Sequence, residues 1–220
     1  MKQLHLEAGL LAFYSRQLQA EAHSHHAIQL VLHDSGGHDI IASGEPHALT
    51  LEQGWVVLLE PQSTLGQQLQ QQPQHTIRWL RHYLSASQPD DSVSLPSASE
   101  PYPQAAAISD PRLQQLLQQL DGCLSGQCLK PEQWRAHQVA ASLALSESRF
   151  LHLFRQQMHI AWRPYLLWRR LLCAVQLLNQ QQSATSAACA AGFSDSAHLS
   201  RTFRRHFGMN IRTASRLIQR

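Results

Sequence analysis

Long apolar runs are missing from this chain. Residues 1–18 carry Lys2 followed by Glu7 and no sustained apolar stretch, so neither a signal peptide nor a membrane span is expected. The expected compartment is a reducing cytoplasm, with no membrane partner. Cysteine is sparse, and Cys123, Cys128, Cys173 and Cys189 show no paired CxxC spacing. Cys173 and Cys189 lie in apolar, alanine-rich helical surroundings and read as buried thiols. The 43% hydrophobic content is ordinary for a globular protein, and 220 residues suffice for one large domain or two small ones.

Charge is unevenly placed. Residues 1–110 carry 4 Lys/Arg (Lys2, Arg16, Arg78, Arg81) against 11 Asp/Glu, a net of −7. Residues 111–220 carry 14 against 4, a net of +10, and every cation among them except Lys130 is arginine. An acidic half joined to a basic half fits nucleic-acid binding by the second, because the first does not compete for phosphates. A merely soluble basic helical domain would show the same charge.

The most informative stretch is 192–207. Gly192 can take the positive φ that a tight inter-helix turn needs, and Ser194 or Asp195 can cap the helix that follows. Leu199, Phe203 and Phe207 recur every four residues and face inward, leaving Ser196, Ala197, Ser200, Arg201, Arg204 and Arg205 outside. Such a helix suits a DNA groove. An earlier segment is built alike: Val139 to Ser146 and a helix through Gln157 are answered by Ala187 to Ser194 and a helix through Phe207. Each unit reads as a helix-turn-helix whose small residues let two helices cross closely. In the first, Phe150, Leu153 and Phe154 face the core while Ser148, Arg149, Leu151, His152 and Arg155 point outward. Between the copies, Pro164 to Leu178 reads as a rigid spacer helix, with Tyr165, Ala174, Leu177 and Leu178 inward and Arg163, Arg169 and Arg170 around it.

Ahead of the duplication, Asp110-Pro111 gives an N-cap and a first-turn proline. Leu113, Leu116, Leu117 and Leu120 then form a helical stripe ending at Gly122. Residues 85–109, rich in Ser, Pro, Ala and Asp, read as a linker. From Leu10 to about Leu84, short apolar runs (Ile28 to Leu32, Ile40 to Ala42, Trp55 to Leu59, Ile77 to Leu84) separated by turn residues favour an all-β sandwich or barrel. The glutamine clusters at 67–72, 114–119 and 180–182 read as compositional bias on polar faces.

On Ala140, Leu143, Ser146, Leu153 and Phe154, on Tyr165, Arg170, Ala174 and Leu177-Leu178, and on Gly192-Phe193-Ser194-Asp195, Leu199-Ser200-Arg201, Phe203-Arg204-Arg205 and Phe207-Gly208-Met209, residues 130–212 resemble the C-terminal DNA-binding domain of AraC-type transcriptional regulators. The resemblance implies two recognition helices in successive major-groove segments of double-stranded DNA. Carried over by position, it implies base readers at Ser148, Leu151, His152 and Arg155 and at Ala197, Ser200 and Arg201. Arg204, Arg205 and Arg170 fall to phosphates or to structure. Four features depart from the family: Ala144 replaces the usual turn glycine, Met158-His159 a glycine-containing segment, Ala187 and Ala191 larger residues, and Ile211 a common proline.

Residues 1–84 are similar to the small cupin-type sensor of many such regulators. His23-x-His25, Gln29 and Gly36 follow the first cupin motif, with glutamine where metal-binding cupins have glutamate, and Gly54 through Pro61 resembles the second motif, with Leu65 at its metal histidine. Two imidazoles leave a metal badly under-ligated, so no metal or other cofactor is expected. The pocket of His23, His25 and Gln29 is read as holding a small-molecule effector or none. His26, His33, His38 and His47 read as solvated or hydrogen-bonded surface groups, with a pH or metal response as the weaker alternative.

The expected fold is thus multidomain α and β: a cupin-like jelly-roll barrel (1–84), a linker (85–109) and an all-α domain (110–220). Its helix-turn-helix units lie at about 135–157 and 183–207, joined by a helix at 163–179. The expected function is sequence-specific DNA binding by a transcriptional regulator, not an enzyme, with RNA polymerase and a second copy as candidate partners. Two alternatives stand: a protein-interaction regulator with degenerate DNA contacts, motivated by exposed Leu151, and a metal-dependent cupin enzyme.

Overall fold

The computed structural model describes residues 4–85, 108–122, 124 and 134–218. Two compact units result, one holding all the described strands with the first two helices, the other running from the third helix to Ser215. The proposed linker falls mostly on residues outside the described set, as do Cys123, Cys128 and Lys130.

In the first unit, β1 (Leu4–Glu7), β2 (Leu10–His23), β3 (Ile28–His33), β4 (His38–Ile41) and β5 (His47–Leu59) form one antiparallel sheet in the order β1-β2-β5-β3-β4. The jelly-roll expectation is corrected here. Among the described residues the sheet does not close, because β1 and β4 each pair on one side only. β5 is its spine, running from Leu10↔Leu59 to His23↔His47 against β2 and from Ile28↔Leu59 to His33↔Gly54 against β3.

One sheet face carries Leu10, Ala12, Leu30, Trp55 and Val57, packed with Leu69 of α1 (Thr64–Gln71) and Ile77, Leu80 and Leu84 of α2 (Pro73–Ser85). The alternate residues Leu11, Phe13, Val31, Val56 and Leu58 are buried as well. Strands covered on both faces read as continuous apolar runs, which short helices also do. That ambiguity explains the second correction: Ile77 to Leu84 is no strand but α2, whose apolar residues recur at helical spacing.

The second unit follows the expected periodicity closely. α3 (Pro111–Gly122) starts where Asp110 Oδ1 accepts from the Arg112 amide, and its four leucines are buried. α4 (Ala136–Ser142) and α5 (Glu147–Met158) make the first helix pair, α7 (Ala184–Ala190) and α8 (Ser196–Phe207) the second. α6 (Trp162–Asn179) joins them, and α9 (Ile211–Ile218) follows. Ser146, Ser183 and Asp195 each accept a backbone N–H at the start of α5, α7 and α8. Ala140, Ala187 and Ala188 are almost fully buried, as a close helix crossing requires.

Two details differ. Arg169 does not surround the spacer helix but is buried in it, paired with Asp121 at the end of α3. Cys173 is buried as expected, whereas Cys189 is exposed on the outer side of its short helix.

The two copies diverge at their turns. Gly192 (φ 82°) and Gly208 (φ 62°) hold left-handed positions in the second unit, while Ala144 (φ 53°) and His159 (φ 54°) hold them in the first. A Cβ in that region costs about 1–2 kcal/mol, and glycine's extra chain entropy returns only part of this. Ala144→Gly is therefore expected to stabilise the second compact unit by about 0.5–1 kcal/mol, read as a higher urea midpoint of the helical signal. A lower midpoint would contradict the turn geometry.

Candidate nucleic-acid interface and the histidine pocket

α5 and α8 each divide into a buried and an exposed face. On α5, Phe150 and Phe154 are fully buried and Leu153 nearly so, while Ser148, Leu151, His152 and Arg155 are exposed. These four lie at i, i+3, i+4 and i+7, hence on one stripe. Leu151 is 36% exposed, one of two large apolar side chains at the surface among the described residues.

On α8, Leu199, Phe203 and Phe207 are buried, while Ala197, Arg201, Arg204 and Arg205 are exposed and Ser200 is half-buried. The start of α8 is tightly held. Asp195 accepts from the His198 amide at 2.6 Å and from the Ser194 hydroxyl at 3.0 Å, and these donors hold its carboxyl below the usual carboxylate range. Glu147 in the first turn of α5 and Asp195 at the cap of α8 both sit at helix N-termini, where the backbone dipole favours them.

α6 ties the two pairs together. Its first turns join an aromatic cluster in which Trp162 lies edge-on to Phe150 and Phe154 at ring separations of 5.3 and 5.1 Å, and Tyr165 meets Phe154 at 5.3 Å. Further along, Trp168 meets Phe207 of α8 at 5.9 Å. Arg170 is half-buried, its Nε has no hydrogen-bond partner, and burial lowers its guanidinium pKa.

Residues 139–216 match the family model described as helix-turn-helix domain, and thereby take in the second half of α4 and all of α5, α6, α7 and α8. These residues are a helix-turn-helix domain by that match. Sequence similarity extends to LumQ of Photobacterium leiognathi, a probable transcriptional regulator, 40% identical over 67 residues. The match spans 30% of this chain and 27% of LumQ. Among solved structures, an apo ToxT variant from Vibrio cholerae covers 97% of this chain and is itself covered to 99%, with 9% identity and a TM-score of 0.51. That likeness concerns the fold: an antiparallel sheet unit followed by a helical one. An AraC-type regulator from Chromobacterium violaceum is 26% identical, covers 50% of this chain and 96% of its own, with a TM-score of 0.40. Among the described residues no helix is long and apolar enough to cross a membrane.

In the sheet unit, His23, His25 and Gln29 do come together, all three buried. His25 Nε2 lies 3.1 Å from Gln29 Oε1. Burial above all pushes the His25 pKa down to about 4, the neighbouring His47 and His23 add to that, and the Gln29 contact opposes it.

His47, read from sequence with the surface histidines, joins this group. It is half-buried, its ring lies 4.2 Å from that of His23 and 5.1 Å from that of His25, and its Nε2 is 3.3 Å from Gln29 Oε1. The reason is the β2–β5 ladder, which sets His47 directly opposite His23. No local motif carries that pairing, although the turn signal Ser43-Gly-Glu-Pro46 marks His47 as the first residue of a strand. Of the other histidines, His26 is half-buried against Gln62, His33 pairs with Asp39 at 2.8 Å, and His38 is exposed. Leu65 packs against the core under the sheet.

Proposed function

We propose that this protein is a sequence-specific DNA-binding transcriptional regulator whose AraC-type domain reads two successive major-groove segments. The observation that carries the reading is the pair of exposed polar stripes on α5 and α8, each preceded by a short helix and both packed against one spacer. An 18-residue helix is about 27 Å long, so α6 can hold two helix pairs at a separation of the order of one DNA turn, about 34 Å. In this reading Ser148, Leu151, His152 and Arg155, and then Ala197, Ser200 and Arg201, face base edges. Leu151 supplies apolar contact of the kind a thymine methyl accepts. Arg204 and Arg205 face phosphates, and Arg170 supports the spacer. The sheet unit, joined through a linker over 85–109, serves as a sensor or a self-association unit, with the pocket of His23, His25 and Gln29 as the effector site. RNA polymerase is the partner such a regulator would address, and the cytoplasm its compartment. Nothing in this reading requires catalysis.

Selection of bound fragments from random duplex DNA tests it. An enriched motif is expected, and Arg201→Ala should weaken binding to that motif by roughly 1–3 kcal/mol while relaxing preference at one position. Affinity should also fall steeply with salt, because about six phosphate contacts give a log-log slope near −5. Equal affinity for all sequences with a nearly flat slope would overturn the DNA reading and favour a protein partner docking on Leu151.

A further inference from the structure

The histidine pocket has the design of a metal site. His23 closes β2, where the ladder shifts register between Ala20 and His23 and so re-aims the last side chain of the strand. His25 stands in the turn to β3, and His47 opens β5. One donor atom from each of the three lies within 4.8 Å of those of the other two.

The imidazoles are oriented as ligands are. His23 Nδ1 lies 2.7 Å from the Glu21 carbonyl, His25 Nδ1 3.0 Å from that of Ala27, and His47 Nδ1 2.8 Å from that of Glu45. A carbonyl oxygen only accepts, so each Nδ1 donates its proton there, which leaves Nε2 as the ring nitrogen able to bind a metal. Metal-binding histidines are held in one tautomer by the same backbone contact on their second nitrogen. Gln29 adds an oxygen. Four donors at about 2.0–2.1 Å from a tetrahedral ion lie about 3.3 Å apart, and Gln29 Oε1 is 3.1 Å from His25 Nε2 and 3.3 Å from His47 Nε2.

We propose that His23, His25 and His47 bind a divalent ion of the zinc class through Nε2, with the Gln29 amide oxygen as the fourth donor. Imidazole nitrogen suits zinc among the abundant divalent ions, and magnesium and calcium require more oxygen than the pocket supplies. The third imidazole comes from the strand opposite His23 and not from the position of Leu65. Bound there, the ion staples the ends of β2 and β5 to the β2–β3 turn. The inference names the ligand of the pocket that the proposed function assigns to an effector, and it holds whether or not the chain binds DNA.

The test uses the full chain carrying Cys123→Ser, Cys128→Ser and Cys189→Ser, which leaves the buried Cys173 as its one thiol, stripped by a chelator and titrated with Zn²⁺ by calorimetry and with Co²⁺ by visible absorption. One ion per chain is expected, with the cobalt bands of a four-coordinate nitrogen and oxygen site and no thiolate charge transfer. His47→Ala should weaken binding by about a hundredfold or more, since one of three imidazoles is lost. His38→Ala should leave it unchanged. Gln29→Glu, which puts an anionic donor in the same place, should tighten it by about tenfold or more. No binding to the folded parent, or binding undiminished in folded His47→Ala, overturns the site. If His47→Ala does not fold, the cobalt spectrum and Gln29→Glu decide, and thiolate bands or unchanged affinity overturn it equally. DNA binding is read separately by fragment selection, so either result stands without the other.

Discussion

Replacing Trp162 by alanine is expected to cost the helical unit roughly 3–5 kcal/mol, the range found for removing a large aromatic side chain from a core. Trp162 is 1% exposed and meets Phe150 and Phe154 edge-on, an arrangement worth about 0.5–1.5 kcal/mol per pair beyond the buried area. Its Nε1 donates to the Trp134 carbonyl at 3.2 Å, and truncation leaves that acceptor buried beside a cavity. A domain of this size is stable by only about 5–15 kcal/mol. The variant should therefore lose a large part of its margin, seen as a lowered urea midpoint of the helical circular dichroism. Trp162 also sits at the start of α6, so the loss falls first on α4 and α5. Hydrogen exchange should quicken in α5 well before it does in α8. An unchanged midpoint would mean that the cluster does not hold the first helix pair.

That cluster shows how far the helical unit was legible. The spacing of Phe150, Leu153 and Phe154 points them inward, and the structure places all three in the core. Helical periodicity carries such information because the buried and exposed sides of one helix are written within a dozen consecutive residues. The caps were legible too: Asp195 is the N-cap of α8, and Asp110 caps α3. Trp162 and Trp168 were less so, since α6 is buried on most of its circumference and its apolar residues mark no single face. Arg169 misled for a related reason: its partner, Asp121, lies 48 residues away. An arginine in a sequence reads as a surface cation until its counter-ion is located.

The sheet unit was legible in its composition and less so in its arrangement. Strand Ile28–His33 lies where its apolar run places it, and the run Trp55 to Leu59 is the second part of the longer strand His47–Leu59, but strand order, the open edges and the identity of α2 depend on pairings between distant segments. His47 belongs to the same class of information. Its nearness to His23 follows from a ladder between residues 24 positions apart, so counting imidazoles along the first motif gave two where the fold assembles three.

Gly54→Val is the substitution expected to damage the sheet unit most. Gly54 lies in β5 between Ser15 of β2 and His33 of β3, with φ at 152°. A Cβ there would stand 2.1 Å from the Leu32 carbonyl oxygen and 3.1 Å from the His33 Cα. Both obstacles are backbone of a central strand, so relief requires β3 to move away from β5 and give up ladder hydrogen bonds. Strained φ costs about 1–3 kcal/mol, and forced overpacking about the same again. The sum, roughly 2–6 kcal/mol, approaches the whole stability of a small sheet unit. Gly44 makes the control: its φ is also positive, at 78°, but a Cβ there meets nothing within 4 Å. Gly44→Val should therefore cost no more than the backbone strain alone. Hydrogen exchange at Val31 and Val57 distinguishes the two variants, with protection collapsing in Gly54→Val, persisting in Gly44→Val, and unchanged in α5 and α8 of both. Equal protection of the sheet in the two variants would show that β3 yields more readily than its place beside the spine strand implies.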